Sequence, residues 1–323
     1  MSDIVDPAER IEQLLAAAEP ALANAFARMI AAIKSKLTLE GIADAIGKGR
    51  WEAALDEALK AAPIIGEAYQ DAFIAAARDT ATFLGRSLGE VQLVFDRVNY
   101  SAVNAMQRNM LRLVQGFSAS QRDLVRGIIL DGIQRGVNPR EIAKLFRDSI
   151  GLTPFQERAV RNYQRALQDL DPAALQRMLR DKRFDRTIQA ALDANRPLSP
   201  DQIDKMVSRY RAKMLSMRAE TIARTEALRS THEGVKEMYD QAIARGELSP
   251  DSLSQEWNTA ADERVRTSHA PMNGQTRPYG VPFLSGAGNE LKYPGDPDAP
   301  PEEVINCRCS VGMRITRIAG VLS

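Results

Sequence analysis

Cysteine and histidine are scarce in this chain of 323 residues, with two of each: Cys307 and Cys309, His232 and His269. Two cysteines so close together cannot staple a chain of this length, which excludes a disulfide scaffold. Long apolar runs are also missing. The most apolar early stretch, Ala21 to Ile33, is interrupted by Asn24 and Arg28, so no membrane segment is expected. No basic start followed by an apolar run opens the sequence, so secretion is not expected and the compartment is read as reducing. Net charge is nearly absent too, at +1 from 43 basic and 42 acidic residues.

What is present is an ordinary globular composition, 44% hydrophobic and 26% charged. It excludes disordered and collagen-like classes, and the length suggests about two domains. The near-zero charge is a cancellation. Residues 1–100 carry 10 basic and 15 acidic groups, residues 101–230 carry 24 and 14, and residues 231–323 carry 9 and 13. Of the 24 basic groups in the middle block, 20 are arginine, which suits forked contacts with carboxylate or phosphate. Arg158, Arg161, Arg165, Arg180, Lys182 and Arg183 are the candidate contacts for nucleic acid, by phosphate neutralisation without base readout. The competing reading is that these side chains line solvated helix faces beside local acidic partners.

Helix punctuation is dense. Asp6-Pro7-Ala8-Glu9, Asn138-Pro139-Arg140-Glu141, Thr153-Pro154-Phe155-Gln156 and Ser199-Pro200-Asp201-Gln202 each place a cap residue, a proline and then Glu or Gln at a helix start. Gly136 and Gly151 supply stops. Arg140 to Arg165 has the outline of a helix-turn-helix, but nothing in it shows a base-contacting set. From Pro200 to about Arg245 the only glycine is Gly234, and Ile203, Met206, Tyr210, Met214, Met217, Ile222, Leu228, Val235 and Met238 form a helical stripe. One long helix with a narrow apolar seam is the expectation. After residue 249 Gly and Pro crowd in, and short strands are expected at Leu253 to Asn258, near Phe283 and at Ser310 to Ile318. The fold class is therefore mainly α: an elongated multi-helix body (1–198), a long connecting helix (199–248) and a small α+β C-terminal domain (249–323).

Both cysteines and both histidines fall in this last third. Thiolates of Cys307 and Cys309 with the imidazole of His269, and His232 as a fourth ligand, would make a structural zinc site. Against it, Cys-x-Cys in a straight strand holds its sulfurs roughly 6 to 7 Å apart, too far for one tetrahedral ion without a bend. Two buried packing thiols are the plainer reading. A disulfide between the two is disfavoured by strand geometry and by a reducing compartment. Asp262 with Arg264 or Arg266 reads as an ion pair or turn cap before His269, and Arg224 would pair with Asp262 or cap a loop carbonyl. Asn273-Gly274 and Pro294-Gly295-Asp296 are turn formers, and Trp257 is a core anchor. Asp262, His269 and a divalent ion would also serve a metal-dependent nuclease or toxin-like hydrolase, which is the alternative function.

Five separated pieces carry a family resemblance: Ile222-Ala223-Arg224-Thr225-Glu226; Trp257-Asn258-Thr259 leading to Asp262-Glu263-Arg264-Val265-Arg266-Thr267-Ser268-His269; Met272-Asn273-Gly274-Gln275; Tyr293-Pro294-Gly295-Asp296; and Ile305-Asn306-Cys307-Arg308-Cys309. Their order and spacing resemble the phage head morphogenesis family, the Mu F-like minor head proteins, over about residues 218–312. The resemblance implies a low-copy virion protein of a tailed phage or prophage, bound to the portal protein and other head proteins. It would act in head assembly, genome packaging or DNA delivery, with non-specific contact to genomic DNA. It implies no catalytic residue, no required cofactor and no membrane partner. Residues common to the motif here are Arg224, Glu226, Trp257, Asp262, Arg264, Arg266, His269, Asn273, Gly274, Pro294, Gly295, Asp296, Asn306, Cys307, Arg308 and Cys309.

Overall fold

The computed structural model describes residues 6–89 and 91–315. It is mainly α-helical, with a few short antiparallel strands confined to the C-terminal part. In chain order the helices are α1 (Pro7–Lys36), α2 (Leu39–Gly47), α3 (Trp51–Leu59), α4 (Pro63–Ser87), α5 (Tyr100–Gln134), α6 (Pro139–Ser149), α7 (Pro154–Gln168), α8 (Asp185–Asp193) and α9 (Pro200–Ala244). The strands are β1 (Leu253–Asn258), β2 (Thr276–Pro278), β3 (Phe283–Leu284), β4 (Glu290–Leu291) and β5 (Ser310–Ile315), with the single-turn helix α10 (Pro301–Val304) before the last.

All four proline-marked starts open helices, at Pro7, Pro139, Pro154 and Pro200. At α7 the capping box is complete: Gln156 N donates to Thr153 Oγ1 at 3.1 Å and Thr153 N donates to Gln156 Oε1 at 3.0 Å, so two orphan amides are satisfied. Gly136 and Gly151 take positive φ of 64° and 98° after α5 and α6, which a side chain would resist. By length and composition α1 is apolar enough to cross a membrane, and among the described residues it alone passes that test. Its Leu22, Ala25, Phe26, Met29, Ile30 and Ile33 are nevertheless buried inside the protein.

The chain folds into two compact units, each assembled from separate stretches. One comprises the residues up to Phe26, Pro63–Leu113 and those from Glu220 onward; the other comprises Ala27–Ala62 and Val114–Ala219. These units cut across the linear division at 198 and 248, because residues of α1, α4 and α5 pack in the same unit as the C-terminal strands.

In the second unit, Tyr163 of α7 stacks on Tyr210 of α9 at 4.5 Å between ring centres. Gln121 of α5 clamps the turn after α6, donating to Leu152 O at 3.0 Å and accepting from Gly151 N at 2.8 Å.

In the first unit, β1 is the central strand of a three-stranded antiparallel sheet in the order β2-β1-β5, with Trp257 opposite Val311. Its residues alternate between buried and half-buried, as the pleat requires. Beyond Ile315 the expected last strand lies outside the described residues. The strand expected near Phe283 pairs with Glu290–Leu291 as a two-stranded ribbon. One core joins Ile11 of α1, Phe73, Ala76 and Leu84 of α4, Leu228, Val235 and Tyr239 of α9, Trp257, Phe283, Leu291, Cys307 and Val311.

The narrow-seam expectation for α9 fails in this unit. Every residue from Thr225 to Val235 is buried, so the helix is enclosed on all faces and its polar side chains are core residues. Glu233 explains how this is tolerated: Tyr69 Oη, Asn109 Nδ2 and Tyr293 Oη donate to its carboxylate at 2.8, 2.5 and 3.0 Å. Three donors offset part of the cost of desolvating the carboxylate, although burial still raises it above its ordinary value.

Candidate functional site

The residues common to the sequence motif converge on the sheet and the enclosed part of α9. After β1 the chain turns at Asp262, whose Oδ1 accepts from Arg264 N at 3.0 Å. Arg266 O then accepts from the amides of His269 and Ala270, and this winds His269 inward until its side chain is 1% exposed. From the other side, α10 ends at Val304 and the chain reverses at Asn306, which adopts a left-handed φ of 58°. Asparagine tolerates that conformation better than most residues. Asn306 is held there from α9: Arg224 Nη1 donates to its Oδ1 at 2.9 Å and its own N donates to Thr225 Oγ1 at 2.9 Å.

The reversal brings Cys307 and Cys309 together over His269. Each Sγ lies 3.5 Å from His269 Nδ1, and the three ligand atoms all lie within 4.8 Å of one another. Cys309 N donates to Cys307 Sγ at 3.4 Å. The 6 to 7 Å separation expected for a straight strand is thus corrected, since both cysteines precede β5, in irregular chain after the turn at Asn306. Both thiols are free and buried. Contact with Cys309 and His269 draws the Cys307 thiol well below its ordinary range against the effect of burial, and the same pairing, with burial, drives Cys309 up.

Behind the ring, His269 Nε2 stands 2.9 Å from Glu303 Oε2. Glu303 is buried and saturated: Ser268 Oγ, Ser285 Oγ and Asn289 Nδ2 donate to it at 2.8, 2.9 and 2.9 Å. Burial pushes this carboxyl up, yet the three donors and His269 outweigh it and hold it below its ordinary value. Trp257 is fully buried and packs edge-on against His269 at 5.4 Å and against Phe283 at 5.3 Å. In front of the cluster is a cavity of about 20 Å³ bordered by Arg264, Arg266 and Arg308, room for one water or ion.

Two expected pairings, of His232 with the cluster and of Arg224 with Asp262, are corrected. His232 does not join the cluster: its Nε2 accepts from Val311 N at 3.1 Å and its Nδ1 is 2.8 Å from Leu228 O. Since Nε2 accepts, Nδ1 carries the proton and donates, so neither nitrogen has a lone pair to spare. Burial lowers its pKa to about 4. Of the two partners expected for Asp262, Arg264 is present, through its amide at 3.0 Å and its Nη2 at 3.5 Å, while Arg266 donates to Ile305 O; Arg308 adds a two-pronged contact at 2.6 and 2.5 Å that draws the carboxyl far down. Arg224 meets Asn306 and, at 3.6 Å, Glu19 of α1, not Asp262. Among the described residues, Asp262 is not one of the ligands grouped with His269.

The remaining motif residues shape the frame. Glu226 is gripped by Arg229 Nη1 at 3.0 and 2.9 Å, and Arg229 Nε donates to Gly295 O at 3.1 Å. Gly295 has φ of 86°, and a Cβ there would stand 3.0 Å from Arg229 N, so the Pro294-Gly295-Asp296 turn lies flush on α9. Asp296 accepts from the amides of Lys292 and Asp298 at 2.9 and 3.0 Å. Asn273 Oδ1 accepts from Thr259 N and Oγ1, and Gly274 completes the turn at φ of 73°. Glu303, Arg229 and Glu233 carry no such role in the sequence reading. The acidic pair after Pro300-Pro301 marks a helix start, but no spacing signals that Glu303 reaches His269.

The candidate nucleic-acid residues belong to the second unit and not to this cluster. Arg161 pairs with Asp131 at 3.0 Å, Arg180 grips Asp185 at 2.8 and 2.9 Å, and Arg183 pairs with Asp181 at 2.6 Å. Arg158, Arg165 and Lys182 are exposed, with no acidic partner among the described residues.

Residues 199–312 match the family model described as phage Mu protein F like protein. Over these residues, about a third of the chain, the protein is similar to the phage Mu F-like family. The Mu F-like region begins just before α9 and ends within β5, so it contains His269, Glu303, Cys307, Cys309 and the α9 residues that hold Asn306. No curated protein and no solved structure matches the chain.

Proposed function

We propose that this chain is a minor head protein, present in few copies and bound to the portal or inner head, that acts in head assembly, genome packaging or DNA delivery by adhesion and not by turnover. The match of residues 199–312 to the Mu F-like family carries this reading. The hydrogen-bonded state of the motif residues supports it: Asp262, Glu226, Asp296 and Asn273 each spend their polar atoms on the fold. Contact with genomic DNA falls to the second unit, where Arg158, Arg165 and Lys182 are free to meet phosphate, while Arg161, Arg180 and Arg183 are neutralised by local carboxylates. The test is to assemble heads from the neighbouring portal, scaffold and capsid genes with and without this chain. Retention of a few copies per salt-washed head, with a loss of packaged or delivered DNA when the chain is omitted, is expected. Absence of the chain from washed heads would overturn the reading.

A further inference from the structure

We propose that His269, Cys307 and Cys309 bind one zinc ion, with Glu303 as the orienting carboxylate behind the histidine and a water in the small cavity as fourth ligand. Zinc bonds of about 2.3 Å to sulfur and 2.0–2.1 Å to nitrogen, at the tetrahedral angle, separate a sulfur from the imidazole nitrogen by ~3.6 Å. Both Sγ···Nδ1 distances are 3.5 Å. Two sulfurs converge on a single Nδ1 lone pair. A thiol-to-imidazole hydrogen bond would use one sulfur and leave the other idle, whereas an ion at the centre uses all three atoms.

The surroundings fit the same group. Ligating histidines characteristically offer their second ring nitrogen to a carboxylate, which fixes the tautomer and raises ligand basicity. Here Nε2 faces Glu303 at 2.9 Å, and Glu303 is itself fixed by Ser268, Ser285 and Asn289. Two thiolates and a neutral imidazole cancel the charge of the divalent ion, so the ion with its protein ligands carries no net charge. Binding expels up to two protons, one from each thiol. Soft sulfur donors with one imidazole favour zinc over magnesium or calcium, which take oxygen. The ion would add a central link between the His269 turn and the chain entering β5, beside the Arg308–Asp262 pair and the Arg266 bond to Ile305 O. This inference stands on the cluster alone and is independent of the head-protein reading.

The full chain is purified under reducing conditions, equilibrated with zinc, desalted and assayed for metal; a second sample is loaded with cobalt and examined by absorption. One zinc per chain is expected, along with strong visible bands of tetrahedral cobalt and a thiolate charge-transfer band in the near ultraviolet. Cys307→Ser, Cys309→Ser and His269→Ala should lose the metal, and Glu303→Gln should bind about 10–100-fold more weakly against a chelating indicator. His232→Gln should retain full stoichiometry, since its ring nitrogens serve Leu228 and Val311. Folded, reduced wild-type protein that holds no zinc, or cobalt binding without a thiolate band, would overturn the proposal whatever the variants do.

Discussion

Gly234 is the one glycine inside the enclosed half of α9, and its replacement by alanine sets two effects of opposite sign against each other. Alanine is favoured over glycine in a helix interior by about 1 kcal/mol. At Gly234, however, an added Cβ would stand 3.1 Å from both the carbonyl carbon of Phe73 and Ala76 Cβ on α4, and closer still to the carbonyl oxygen of Phe73. Overpacking costs about 1–3 kcal/mol. The obstacle here is helix backbone, which cannot swing aside as a flexible side chain would, so the upper end applies. The net expectation is a loss of about 2 kcal/mol, or a fall in Tm of roughly 4–8 °C at about 2–4 °C per kcal/mol. Gly127 on α5 provides the control: it is exposed, and a Cβ added there would meet nothing within 4 Å, so Gly127→Ala should stabilise by about 0.4–1 kcal/mol. Paired thermal and urea unfolding of both variants decides the matter. If Gly234→Ala stabilises as Gly127→Ala does, α4 does not pass this close to α9, and the 2.8 Å bond from Tyr69 to Glu233 one position away loses its support.

Two further outcomes follow from the same structure. Burial raises the Glu233 carboxyl above its ordinary value although Tyr69, Tyr293 and Asn109 donate to it; above about pH 4.5 the folded state therefore keeps a proton that the unfolded chain has lost, and the group lowers stability as pH rises through its folded value. Glu233→Gln should flatten that decline, seen as urea midpoints that converge with or overtake the wild type toward pH 8, and a pH profile parallel to the wild type would contradict it. For DNA, changing Arg158, Arg165 and Lys182 together to alanine should reduce the slope of log affinity against log salt by about 2–3, near 0.9 per phosphate contact. The same treatment of Arg161, Arg180 and Arg183 should change the slope less, because their charge is already met by Asp131, Asp185 and Asp181; the reverse order in a fluorescence titration would sink the assignment.

Local signals are legible in the sequence and non-local ones are not. Proline after a cap residue acts within one helical turn, so all four such starts can be read directly. The long helix is legible because a run with no proline and one glycine admits little else. Its burial is not. Glu226, Arg229, Glu233 and Glu237 look like a solvated face when only neighbours three and four positions away are considered. Their partners include Gly295, Tyr69, Asn109, Tyr293 and Ser101, distant in sequence and brought close only by the tertiary fold. A polar helix can be central when other elements bring the donors to it.

The cysteine pair shows the same limit at shorter range. Treating Cys307-Arg308-Cys309 as extended strand implies alternation, and alternation sets the sulfurs too far apart to share an ion. The pair departs from strand geometry because it lies between the turn at Asn306, with φ of 58°, and the start of β5 at Ser310, where Cys309 N donates to Cys307 Sγ. Asparagine ahead of the first cysteine is visible in the sequence, and asparagine is among the few residues that enter this conformation at low cost. The hold on it is not visible, because it comes from Arg224 and Thr225 on a helix some eighty positions away. Arg224 and Thr225 thus act on the thiol cluster without touching it: they hold the Asn306 turn from which the two cysteines run over His269. That role explains why a motif spread over five pieces of sequence includes an arginine on α9 whose own contacts contain no chemistry.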